Sequence, residues 1–227
     1  MSVLGGFGRL TGGALLFIGL LAFIILYSLN NSGVLSNSYF SASIGQIVNA
    51  SSSTAYGAAG YNSSQRAELQ QTLVNFTQQN PGCANLLCFA TKQLNLNIPT
   101  SQNYLFNYEF LAAIAAIIGV VLLILSYEGG ERLQAIGRGS ISAAIISFVS
   151  TYLPLVFILP YLFSIPIQGL AIKIPASVMA PFTNLVLILD IIFGVIGVVL
   201  LIIRFVFFRR SIPKPIILQG MRTEGNT

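Results

Sequence analysis

Asp190 is a carboxylate set inside an apolar run, and few other residues in the chain could do chemistry. It lies seven residues into the stretch Thr183–Ile203, roughly 10 Å from that stretch's outer end by helix rise. Gly194 and Gly197 follow it on the same face, at i+4 and i+7. A carboxylate in hydrocarbon is costly, which makes an intramembrane acid a functional candidate. Glu109 starts another apolar stretch on the same predicted side, at a shallower depth. Lys173 is the nearest cation to Asp190 by sequence on that side. One reading joins Asp190, Glu109 and Lys173 into a proton or cation site. The other keeps Asp190 protonated and bonded to hydroxyls of the third stretch, with Glu109 at the headgroup level.

The composition removes many chemistries. Histidine is absent and Cys83 and Cys88 are the two cysteines, so the usual ligand sets for haem, zinc, copper and iron–sulfur clusters are missing. Ser–His and Cys–His nucleophilic pairs are excluded with them. The expectation is a protein that is not an enzyme and carries no cofactor. The glycines at Gly5, Gly6, Gly8, Gly12 and Gly13 follow no strand and lack the Lys-Ser/Thr ending of a phosphate loop.

The elements that hold these residues are membrane spans. The chain has 227 residues, 55% hydrophobic and 7% charged, with mean hydropathy +0.81. Soluble domains carry about 25% charged residues. Four stretches, roughly Gly12–Leu29, Phe110–Tyr127, Ile141–Ile167 and Thr183–Ile203, approach or exceed the ~20 residues that cross a bilayer core. The expected fold is an all-α membrane protein: four transmembrane helices, with a mostly helical outside domain between the first and second.

Charge sets the orientation. Arg9, Arg132, Arg138, Arg204, Arg209, Arg210, Lys214 and Arg222 fall on one side, against Arg66, Lys92 and Lys173 on the other. Eight against three places both termini in the cytoplasm. The expected division is a cytoplasmic N-terminus and first span (1–29), an outside domain (30–107), spans two to four (108–208) and a basic cytoplasmic tail (209–227). The N-terminal run has signal-peptide features and is read as a retained anchor. The net charge of +5 sits near the membrane ends and forms no basic stripe with interleaved aromatics, so no nucleic-acid partner is expected. The expected partners are the lipid bilayer and other membrane subunits, or a second copy of this chain. The location is a plasma membrane or a virion membrane.

Sequons at Asn30, Asn49, Asn62 and Asn75 all lie in the predicted outside segment. Cys83 and Cys88 lie there too, where oxidation is permitted, and a Cys83–Cys88 disulfide is expected. Two buried free thiols are the alternative. Five residues along an ideal helix point two side chains apart, so the bridge needs a turn within Ala84–Leu87. Between Asn30 and Asn107 the charged residues are Arg66, Glu68 and Lys92 alone. That poverty fits an acidic medium, where carboxylates are neutral and excess cations repel, and so a thermoacidophilic archaeon or its virus. Burial against partner subunits is the competing explanation. Within the segment, Asn49–Asn62 reads as loop. Ser64 reads as the cap of a helix to about Gln79, with Leu69, Leu73 and Phe76 on one face. Pro81-Gly82 ends that helix, and a second short helix covers Asn85–Leu94.

The spans carry small-residue faces. Ala112, Ala115, Ala116 and Gly119 permit close backbone approach in span two. Ser140, Ala144, Ser147 and Thr151 follow helical spacing in span three, which Pro154 and Pro160 then interrupt, with Pro166 after them. A bent or broken span is expected. Tyr127–Arg132 reads as a short inner turn, and Arg209–Pro215 as a basic juxtamembrane segment.

The layout resembles claudin-type tetraspan proteins in outline: inside termini, four spans and a large first outside loop with two cysteines. The chain departs from that family in lacking the first-loop Trp residues, and in a loop that reads as helical where claudins have a sheet. The favoured function is a structural or accessory subunit of a larger cell-envelope or virion-membrane assembly. A homo-oligomeric channel or transporter using Asp190 and the broken third span is the alternative. A cofactor-free subunit of a respiratory membrane complex is a further one.

Overall fold

The computed structural model describes residues 3–52, 61–80, 85–93, 102–158, 164–167 and 170–208. Seven α-helices occur among them: α1 (Val3–Asn31), α2 (Asn37–Ser52), α3 (Ser63–Gln79), α4 (Leu86–Gln93), α5 (Gln102–Ser126), α6 (Gly130–Ser147) and α7 (Ala176–Phe208). Two π-helical segments, Phe148–Tyr152 and Pro154–Ile158, continue α6. Four helical spans are long and apolar enough to cross a membrane: Gly6–Asn31, Leu105–Ser126, Gly130–Phe157 and Ala176–Phe208. The chain is a multi-pass membrane protein built almost entirely of helix.

Glycine and alanine decide how the spans meet. In the α1–α5 seam, a β-carbon added to Gly12 would sit 3.2 Å from the Gly119 carbonyl oxygen, and one added to Gly19 would sit 2.5 Å from the Ala116 amide nitrogen. In the α6–α7 seam, β-carbons on Gly137 and Gly197 would lie 2.8 and 2.7 Å from each other's carbonyl oxygens. Lipid tails are as apolar as leucine, so van der Waals contact at close range is what holds such seams. The small faces anticipated on spans two and four are therefore occupied within the chain. Leu16, Leu20, Ala116, Leu123 and Ala143 form the core where α1, α5 and α6 converge.

Helices α2, α3 and α4 form a cap over one end of the bundle. Gly33, at φ +76°, makes the turn out of α1, and Ser36 Oγ accepts from the Tyr39 amide at 3.2 Å to start α2. Phe40, Ile44, Ile47 and Val48 of α2 pack with Leu69 and Leu73 of α3, Phe89 of α4, and Ile172, Ile174 and Val178. Phe76 and Phe89 meet edge to face with ring centroids 5.0 Å apart. The cap thus draws on residues far beyond 107.

Three local expectations need correction. Helix α2 runs through Ser52, so the segment Asn49–Asn62 begins as helix; residues 53–60 lie outside the described residues. Asn62 caps α3 where Ser64 was expected: its Oδ1 accepts from the Gln65 amide at 2.8 Å, and Gln65 Oε1 accepts from the Asn62 amide at 3.1 Å. That reciprocal pair satisfies two free helix-end donors, whereas Ser64 already lies inside the helix. The third span does not reach Ile167. Strand β1 (Ser164–Ile167) pairs antiparallel with β2 (Leu170–Lys173), Ser164 opposite Lys173 and Pro166 opposite Ala171. The fold is therefore not wholly helical. An apolar run of this length suits a short strand as well as a helix.

Candidate intramembrane site

Asp190 sits on the α7 face that the two glycines open toward α6. It is 6% exposed, and neither carboxylate oxygen has a hydrogen-bond partner among the described residues. Ser147, fully buried at the end of α6, turns its hydroxyl toward Asp190, but the two fall short of hydrogen-bond geometry. Ala144 and Ser140 lie one and two turns before Ser147 and are buried on the same stripe. The anticipated small, hydroxyl-bearing face of span three is thus the one that meets the acid.

The helix changes register immediately after Ser147. The Leu153 amide donates to the Phe148 carbonyl, five residues back, as a π-turn requires. Pro154 follows; it lacks an amide hydrogen and its ring crowds the carbonyl four residues before it. Widening the preceding turns accommodates that ring without breaking the helix, and such π-turns concentrate at functional sites. The interruption expected at Pro154 is a change of helical type. Pro160 lies outside the described residues.

The three expected site residues are not one cluster. Glu109 accepts from Asn30 Nδ2 at 2.6 Å, where the ends of α1 and α5 meet. Lys173 ends β2, its amide donating to Ser51 Oγ at 2.9 Å. Helix rise alone separates the start of α7 from Asp190 by about 21 Å, with Lys173 before that start. Asp190 therefore faces Ser147 and apolar neighbours, not Lys173.

Comparisons with protein families, with characterised proteins and with solved structures gave no match.

Cys88, 1% exposed, is disulfide-bonded; Cys83, the other cysteine of the chain, lies outside the described residues. Asn49, Asn62 and Asn75 are exposed, and Asn30 is half-buried. The basic tail, 209–227, lies outside the described residues. Among the described residues, no group of three or more His, Cys, Asp or Glu could hold a metal ion.

Sequence reasoning missed a polar cavity of about 620 Å³ at the bundle end opposite the cap. Arg9, Tyr127, Glu131, Gln134 and Arg138 line it. Arg9 and Arg138 entered the reading only as markers of orientation. The three- and four-residue spacing of Glu131, Gln134 and Arg138 was a usable signal that they share a helix face.

Proposed function

We propose that the protein is a non-catalytic scaffold: a structural or accessory subunit of a cell-envelope or virion-membrane assembly, with both termini cytoplasmic and the cap outside. The observation that carries this reading is the way the cap is fastened to the spans. Tyr39 Oη donates to the Val178 carbonyl of α7 at 2.9 Å. Ser51 Oγ accepts from the Lys173 amide at 2.9 Å while donating to the Ile47 carbonyl of its own helix at 2.7 Å. The aromatic core of α2, α3 and α4 is continuous with the outer end of α7. A cap held this way presents a rigid, charge-poor surface to a partner. The spans leave Ile188, Ile191, Ile192, Val195 and Ile202 exposed along α7, for lipid or neighbouring subunits.

The test is extraction in a mild detergent, native mass determination and identification of co-migrating chains. A defined complex with other membrane proteins supports the scaffold. Haem- or metal-carrying partners place it in a respiratory complex. A partner-free homo-oligomer overturns both and shifts weight to a channel.

The channel reading rests on Asp190. A buried acid without a hydrogen bond is retained at a cost, and the adjoining π-turns are where a helix can change register. Flux of protons or monovalent cations into liposomes, lost in Asp190→Asn, supports it; no flux, or flux unchanged by the substitution, removes it.

A further inference from the structure

We infer that the cavity at the bundle end opposite the cap binds a phosphate-ester headgroup, with Arg9 and Arg138 on the phosphate. Three helices supply its wall in regular turns: Arg9, Gly13 and Phe17 from α1, Leu123 and Tyr127 from α5 with the turn after it, and Glu131, Gln134 and Arg138 from α6. The polar groups are graded. Glu131 lies in the first turn of α6, Gln134 one turn on and Arg138 two turns on, and Phe17 and Leu123 add apolar wall.

Arg138 lines the cavity as a cation with no partner among the described residues. A β-carbon on its neighbour Gly139 would lie 2.8 Å from Leu16, which is seven residues, about 10 Å, deeper along α1 than Arg9. Arg138, two turns into α6, is exposed on the cavity wall, and among the described residues it makes no hydrogen bond or ion pair. An intramembrane arginine ordinarily pairs or faces a wet cavity. Helical side chains lean toward the helix N-terminus, which directs this guanidinium back into the cavity and toward Arg9.

Arg9 is already oriented. Its Nε donates to the Ser126 carbonyl at 3.1 Å, and its guanidinium lies 4.4 Å from the centroid of the Tyr127 ring. That holds the group side-on and leaves its terminal nitrogens for a ligand. Two guanidinium groups against one carboxylate, Glu131, favour an anion at the inner end. Glu131, in the first turn of α6, suits a hydroxyl or ammonium group beyond the phosphate. Basic pockets between spans take lipid headgroups by this chemistry. Gly13 keeps the space open, since a β-carbon there would meet nothing within 4 Å.

The experiment uses the delipidated full-length protein in mild detergent, titrated with dioleoylphosphatidylglycerol, with dioleoylglycerol (the same chains without phosphate) and with glycerol 3-phosphate, and read by native mass spectrometry and thermal midpoint. The expected result is one phosphatidylglycerol per chain and a midpoint raised by several degrees. Arg138→Gln and Gly13→Leu, which fills the cavity without touching a charge, should each weaken retention at least tenfold. Glycerol 3-phosphate binding as tightly as the lipid, and lost in the same variants, also supports the site and makes a soluble phosphate ester its occupant. Dioleoylglycerol binding as well as the phospholipid, or undiminished binding in folded Gly13→Leu, overturns the inference.

Discussion

Asn30 Nδ2 donates to Glu109 Oε2 at 2.6 Å, joining the last turn of α1 to the first half of α5 across seventy-nine residues of chain. The nitrogen that makes this bond is the atom a glycan would modify. The Asn30 side chain is half-buried and its Oδ1 has no solvent contact. Modification would have to displace the Glu109 contact at the membrane boundary. In a glycosylating host, glycopeptide mass spectrometry should find Asn30 unoccupied, with modification confined to the exposed Asn49, Asn62 and Asn75. Glycan on Asn30 would show that this end of α1 opens in the native protein.

Asn62 carries two separable roles, a sequon and a helix cap. Asn62→Ala removes both and should cost about 1 kcal/mol through the lost cap. Asn62→Asp removes only the glycan site, because an aspartate accepts from the Gln65 amide equally well. Ser64→Ala destroys the sequon and leaves the capping pair intact. If the cap carries the effect, chemical denaturation should rank Asn62→Ala below the wild type and keep the other two near it. A common loss in all three would assign the stability to the glycan.

The α1–α5 seam makes a sharper prediction, because its glycines leave no room. Gly19→Leu drives a side chain into the Ala116 backbone. Overpacking costs about 1–3 kcal/mol where neighbours can shift, and here the neighbour is backbone, so the thermal midpoint in detergent should fall by at least that equivalent. Gly45, exposed on α2 with nothing within 4 Å of its missing β-carbon, is the internal comparison. Gly45→Ala should stabilise the cap by about 0.5–1 kcal/mol, the ordinary helical advantage of alanine. Equal tolerance of both substitutions would mean that α1 and α5 do not meet at this seam.

How much of this was legible depended on whether the signal was local. Four spans follow from hydrophobic length alone, and Asp190 stands out because it is a carboxylate in an apolar run. The stripe Ser140–Ala144–Ser147 was readable as a helix face, and Ser147 is the residue it turns to Asp190. Helix α2 was readable too, from Phe40, Ile44, Ile47 and Val48 at helical spacing, but its serines and glycine masked it. The hairpin β1–β2 was not, since its apolar residues extend the preceding span without a change of composition. Nor was the Asn30–Glu109 bond, since nothing local links residues that far apart. The cavity of Arg9 and Arg138 was overlooked for another reason: arginines near span ends explain themselves as topology until their depth is known.

The cap's few charges have neutral partners, and that fixes how its stability should respond to acid. Arg66 Nε donates to the Tyr61 carbonyl at 3.2 Å. Lys92 Nζ donates to Asn80 Oδ1 and lies 5.8 Å from the centroid of the Phe76 ring. Acid unfolding arises when carboxylates held in native ion pairs or hydrogen bonds must take up protons. Glu68 is the one carboxylate between residues 30 and 107; its side chain is exposed and has no cationic partner among the described residues. No native contact of the cap is then lost between about pH 7 and pH 2, and its free energy of unfolding should be flat across that range. Hydrogen-exchange protection of the amides around Leu69, Leu73 and Phe89, corrected for the pH dependence of intrinsic exchange, measures it in the intact protein. Constant protection agrees with a cap suited to an acidic medium. Protection that collapses on acidification would point instead to a surface that depends on a partner.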